Sequence, residues 1–162
     1  MGSKDSGQDA GFMRHAVRLA AEHMRARAGG PFGAVITLGS EVVAEGWNQV
    51  TSTNDPTAHA EVVAIRRAAA KVGSFSLAGC VLYTSCEPCP MCLTAAYWAR
   101  VDRIVFAASR YDAADAGFDD EEFYRELRLP IAERGIPTEQ TLRAEAVQVF
   151  QEWKAMPDKT PY

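Results

Sequence analysis

Two short stretches of this 162-residue chain carry residue types and spacings suited to chemistry. TSCEPCPMC at 84–92 sets Cys86, Cys89 and Cys92 three residues apart with a proline in each gap, and PTAHAEV at 56–62 carries His59 and Glu61. Thiolate sulfur and imidazole nitrogen are the preferred donors of Zn²⁺. Three protein ligands, His59, Cys89 and Cys92, leave one tetrahedral position for water, which is the arrangement of a catalytic zinc, whereas structural sites close all four. Glu61 is then the carboxylate that stands beside the metal without binding it, placed to take a proton from the activated water and deliver it elsewhere. One zinc ion per chain is the expected cofactor.

Other uses of the cysteines are weaker fits. Cys86, Cys89 and Cys92 form the start of an iron–sulfur run, but position 96 is Ala96 and no cysteine follows. A dithiol redox motif at CPMC explains neither His59 nor Glu61. Cys80 and Cys86 read as packing residues, the usual fate of a free cysteine, although Cys86 as a fourth ligand would make the site structural.

Both stretches need elements to position them. Residues 9–28 repeat apolar side chains at helical spacing until Gly29-Gly30-Pro31, and FGAVITL, Gly39-Ser40 and EVVAEGW read as two strands joined by a tight turn. Asp55 as N-cap with Pro56 at the first helical position opens a helix through EVVAIRRAAAKV, which puts His59 and Glu61 in its opening turns. Glu61 is rotated by roughly 200° from His59 on that helix, so a metal serving both must lie beyond the helix end. CVLYTS is a buried strand, a helix runs from about 87 to 100 with both prolines in its first turn, and RIVFAAS is a further strand. Cys89 and Cys92 then share one face near the positive end of a helix dipole, where thiolates are favoured. This order predicts an α/β fold with a mixed central sheet between two helical layers.

Composition bounds the rest. The length suits one domain, and 48% apolar residues supply its core. A net charge of −4 gives no broad basic surface for a phosphate backbone, so nucleic acid is not the expected partner. Arg14, Arg18, Arg25 and Arg27 on the first helix read as a solvated face. No apolar run reaches the roughly 20 residues of a membrane span, and a cytoplasmic location is expected. Residues 1–9 read as a flexible N-terminus, and their chance match to a myristoylation pattern carries little weight.

His-x-Glu together with Pro-Cys-x-x-Cys is the signature of zinc nucleobase deaminases. PFGAV, the Trp47-Asn48 pair, NDPTAHAEV, LYTSCEPCPMC, YWAR, AGFDD and the terminal tyrosine together resemble the bacterial guanine deaminases of the cytidine deaminase-like fold, from about residue 10 to 162. The resemblance implies a single zinc deaminase domain that hydrolyses guanine to xanthine and ammonia in purine catabolism or salvage, with Glu61 as proton shuttle. It implies that Asp120 and Tyr162 lie over the base, and that the tail from about 117 to 162 is exchanged between the subunits of a homodimer. Phe32, Trp98 and Phe118 become apolar walls by the same carry-over. The backbone N–H of Ala60 is available to the base, and the Asn48 amide offers it a donor and an acceptor. A tRNA adenosine or nucleoside deaminase is the alternative enzyme, and a zinc-containing binding module is the non-enzyme alternative, for which Glu61 has no use.

Overall fold

The computed structural model describes residues 6–162. Residues 1–5, part of the stretch expected to be flexible and the site of the myristoylation pattern, lie outside the described residues, while residues 6–9 already belong to the first helix. The chain divides into one unit ending at Asp120 and a second from Glu121 to Tyr162.

In the first unit, helix α1 (Ser6–Arg25) precedes the hairpin of β1 (Gly33–Leu38) and β2 (Glu41–Trp47). A short helix α2 (Val50–Thr53), not evident from periodicity, leads to α3 (Ala60–Val72), β3 (Cys80–Cys86), α4 (Pro90–Ala99), β4 (Arg103–Ala108) and α5 (Arg110–Asp115). The sheet order is β2-β1-β3-β4, with β1 antiparallel to both neighbours and β3 parallel to β4, so the sheet is mixed as expected.

The period-2 alternation of strands divides the side chains between two cores. Ala34, Ile36 and Leu82 pack against Ala60, Ala64 and Ala68 of α3 and Ala96 and Ala99 of α4. Val35 and Tyr83, one residue along, face the other way against Ala16 and Leu19 of α1. On that side the Tyr83 hydroxyl donates to Asp9 Oδ1 at 2.5 Å, and Arg103 grips both Asp9 oxygens at 2.6 and 2.8 Å, tying α1 to β3 and β4.

The alanines of α3 let that helix lie close to the sheet. At Gly46 of β2 a Cβ would stand 2.2 Å from the Ala60 carbonyl oxygen and 2.7 Å from the Ala64 nitrogen, so only glycine fits under the first turn of α3.

Helix α3 starts later than expected. Asp55 does not cap it, because its Oδ1 accepts from the Thr57 N–H at 2.8 Å and the Thr57 hydroxyl at 2.6 Å, closing a local turn instead. His59 becomes the N-cap, and Glu61 the second helical residue. The α4 start is displaced in the same sense: Pro88 lies outside, Cys89 is the N-cap, and Pro90 takes the first helical position, where its missing N–H costs nothing.

The second unit contains α6 (Glu121–Arg128), a 3₁₀ turn at Ile131–Glu133 and α7 (Arg143–Ala155). Arg125 pairs with Glu122 and Glu126, and Glu126 accepts from the Gly135 N–H at 2.6 Å. None of its residues is buried, and Leu127, Ile136, Val149 and Phe150 are exposed.

Candidate metal centre

Two helix starts build the site. His59 and Cys89 are the N-caps of α3 and α4, both with extended backbone, and neither side chain is spent on capping its own helix. Both are turned towards one point instead. His59 Nδ1 stands 3.6 Å from Cys89 Sγ and 3.5 Å from Cys92 Sγ. A tetrahedral zinc with bonds of roughly 2.3 Å to sulfur and 2.0 Å to nitrogen holds those atoms about 3.5 Å apart, so the donors already stand at the edge length that the ion requires.

The electrostatics fit a cation as well. The hydrogen bond from Cys92, then that from His59, hold the Cys89 thiol down to about 4, while the bond to Cys89 and burial push Cys92 far up. The pair thus carries one thiolate readily and the second only against added positive charge. The bond to Cys89 raises the His59 imidazole, so the same hydrogen-bonded group would release protons as a metal enters. The positive ends of both helices converge on the sulfurs and favour their ionised form.

Glu61 is buried at 6% exposure and lies on the inner side of this group. Its Oε2 accepts from Cys92 Sγ at 3.5 Å, and its Oε1 accepts from the Thr84 hydroxyl at 3.2 Å. Burial pushes the carboxyl above its ordinary range, as suits a group that must both take and give a proton. Thr84, on β3 and only 1% exposed, was not expected from the sequence, where it reads as β-branched filler in a strand.

Asn48 follows β2 and is buried. Its Oδ1 accepts from the backbone N–H groups of Gly30 and Val50, both at 3.2 Å, so the amide NH₂, rather than both ends as expected, is what remains to address a ligand. The Gly29-Gly30 loop is moulded on this residue: a Cβ at Gly29 would fall 1.8 Å from the Asn48 carbonyl oxygen. Phe32, whose carbonyl accepts from Asn48 N–H at 3.1 Å, meets Phe118 edge-on with ring centres 4.9 Å apart. Ala60 is the first residue of α3, where a backbone N–H has no acceptor within the helix.

Burial first, then the charge of Cys89, push the Asp120 carboxyl up, which places it within electrostatic reach of the metal group of its own chain. Trp98 is about two and a half turns along α4 from Cys89, exposed beside Thr94, Tyr97 and Arg100, and is not brought to the metal donors. Tyr162 ends the second unit. Cys80 and Cys86 are buried free thiols; Cys86 donates to the Ser109 carbonyl at 3.6 Å and stays outside the donor group, which among the described residues consists of His59, Cys89 and Cys92.

Residues 6–108 match the cytidine and deoxycytidylate deaminase zinc-binding region. The chain is 52% identical over 151 residues to guanine deaminase of Bacillus subtilis, covering 93% of this chain and 97% of that protein. The crystal structure of a Bacillus subtilis guanine deaminase superposes with a TM-score of 0.92 at 51% identity, over 94% of this chain and 98% of that one. The tRNA-specific adenosine deaminase of Haemophilus influenzae is 36% identical over 127 residues, 75% of this chain and 73% of that protein.

Proposed function

Since the chain belongs to the zinc-binding cytidine and deoxycytidylate deaminase family, we propose that it hydrolyses guanine to xanthine and ammonia. The observation that carries the choice of base is the identity of 52% to a guanine deaminase along 93% of the chain. Similarity to a tRNA-specific adenosine deaminase is lower and leaves a quarter of the chain unmatched, and the net charge of −4 does not favour a polyanion.

His59, Cys89 and Cys92 are the residues that would hold the zinc. Bound there, the ion supplies Lewis acidity that brings the deprotonation of water within reach of neutral pH. Glu61 takes that proton on the oxygen facing the sulfurs and passes it to the exocyclic amine, which leaves as ammonia once protonated while the ring carbon keeps the water oxygen. The Asn48 NH₂ donates to an acceptor on the purine edge, and Phe32 and Phe118 form an apolar wall against the ring. Asp120 serves as the second acid–base group, helping the leaving amine gain its proton.

The same reading makes the protein a cytoplasmic homodimer with an exchanged tail, which we take to begin at 121 rather than at the expected 117, because Phe118 meets Phe32 and Asp120 feels Cys89 of its own chain; Tyr162 then covers the partner's base. Support for the exchange comes from the second unit, which leaves Leu127, Ile136, Val149 and Phe150 exposed in a single chain.

Ammonia release measured from guanine, guanosine, adenine, cytosine and a tRNA anticodon stem tests the substrate. Release from guanine alone, or far faster than from the rest, is expected; preference for guanosine or for the tRNA overturns the reading.

A further inference from the structure

The two oxygens of the Glu61 carboxylate have different surroundings. Oε2 lies against Cys92 Sγ at 3.5 Å, on the side of the metal donors. Oε1 lies 3.2 Å from the hydroxyl of Thr84, which enters from the sheet and is 1% exposed. Thr84 sits in the ladder between Ala34 of β1 and Phe106 of β4, so its backbone is held on both sides and its side chain has little freedom to follow the carboxylate. Glu61, in contrast, is carried by the first turn of a helix and has three rotatable side-chain bonds.

We propose that Thr84 is a positioning residue for the deamination, its hydroxyl fixing Oε1 of Glu61 so that Oε2 alone faces the water and the leaving amine. A carboxylate free to spin about its last bond presents either oxygen in any orientation, and only a fraction of those orientations can reach both proton positions. Donation from a group fixed in the sheet selects one. The hydroxyl also gives a buried carboxylate oxygen a donor, beside the Glu61 backbone N–H that bonds the same carboxyl. This inference rests on Glu61 being the proton shuttle.

The test compares Thr84→Val, which keeps the side-chain volume without the hydroxyl, with Thr84→Ser, which keeps the hydroxyl, and Thr84→Ala, which loses both. Steady-state kinetics, zinc content and melting temperature are measured for each, alone and on the Glu61→Gln background. Thr84→Val is expected to lose about tenfold or more in kcat, with KM within about twofold and zinc unchanged. Thr84→Ala should lose about as much, and Thr84→Ser should stay within about threefold of the parent. On the Glu61→Gln background, Thr84→Val should change the residual rate by less than about twofold, because the carboxylate that it positions is gone.

Unchanged kcat in Thr84→Val, a loss in Thr84→Ala alone, or an equal loss on both backgrounds overturns the inference and leaves the shuttle reading in place. A Glu61→Gln enzyme of near-normal rate overturns the shuttle itself, and this inference with it.

Discussion

His59 and Cys89 hold the same position in two different helices: each is the N-cap, each has extended backbone, and Nδ1 of one stands 3.6 Å from Sγ of the other. An N-cap side chain projects past the helix end, so two helices that start beside each other can share one ion without either distorting its first turn.

That arrangement predicts the metal content. The purified protein should contain about one zinc per chain, by elemental analysis, and His59→Ala or Cys89→Ala should lose it, while Cys86→Ser, outside the donor group, should keep it. Full zinc in both ligand variants would remove the assignment.

Glu61 separates metal binding from chemistry. Glu61→Gln should retain its zinc and lose activity by roughly 10²-fold or more, read as ammonia release from guanine. Turnover close to that of the parent would remove Glu61 from the proton path, whereas no turnover in the parent itself would favour a binding module over an enzyme.

The exchanged second unit can be tested by mixing inactive chains. Glu61→Ala and Tyr162→Ala are each expected to be inactive or nearly so. After subunit exchange, one site of a mixed dimer collects both lesions, and the other joins an intact Glu61 to an intact tail. Random pairing makes half the dimers mixed, so activity should return to about a quarter of the parent's, as two-fold symmetry requires. No recovery in proven heterodimers would mean that each tail serves its own chain.

Alkaline stability should report on the anchor of α1. Burial, then the hydrogen bond to Asp9, push the Tyr83 phenol up to about 12, against an ordinary value of 10.0. The unfolded chain therefore loses this proton first as pH rises, so the contribution of Tyr83 is complete below about pH 10 and fades towards 12. Denaturant melts at pH 8, 10 and 11.5 should show the advantage of the parent over Tyr83→Phe shrinking, by about 1 to 3 kcal/mol across that range. An advantage independent of pH would mean that the phenol is not held this way.

The metal donors and the sheet were legible in the sequence because both depend on spacing. His59, Cys89 and Cys92 stand where the paired motifs put them, and the strands follow the short runs FGAVITL and EVVAEGW on either side of the Gly39-Ser40 turn. Helix starts were legible only to within a few residues, since Asp55 has two uses for its carboxylate and chose the turn with Thr57 over a cap. The half-occupied amide of Asn48 was hidden because its carbonyl is claimed by Gly30, 18 residues earlier. Thr84 was hidden for a similar reason: nothing in CVLYTSC marks one β-branched residue as the partner of a glutamate 23 positions away.

Gly46 lies outside both His-x-Glu and Pro-Cys-x-x-Cys, yet the first turn of α3 rests on it with no room for a methyl group. Any larger residue there must lift the turn that carries Glu61 and adjoins His59, while leaving His-x-Glu and Pro-Cys-x-x-Cys intact letter for letter. A gene with a perfect signature can therefore encode a silent enzyme, and sorting active from decayed copies in a genome requires reading the floor beneath the motif as well as the motif.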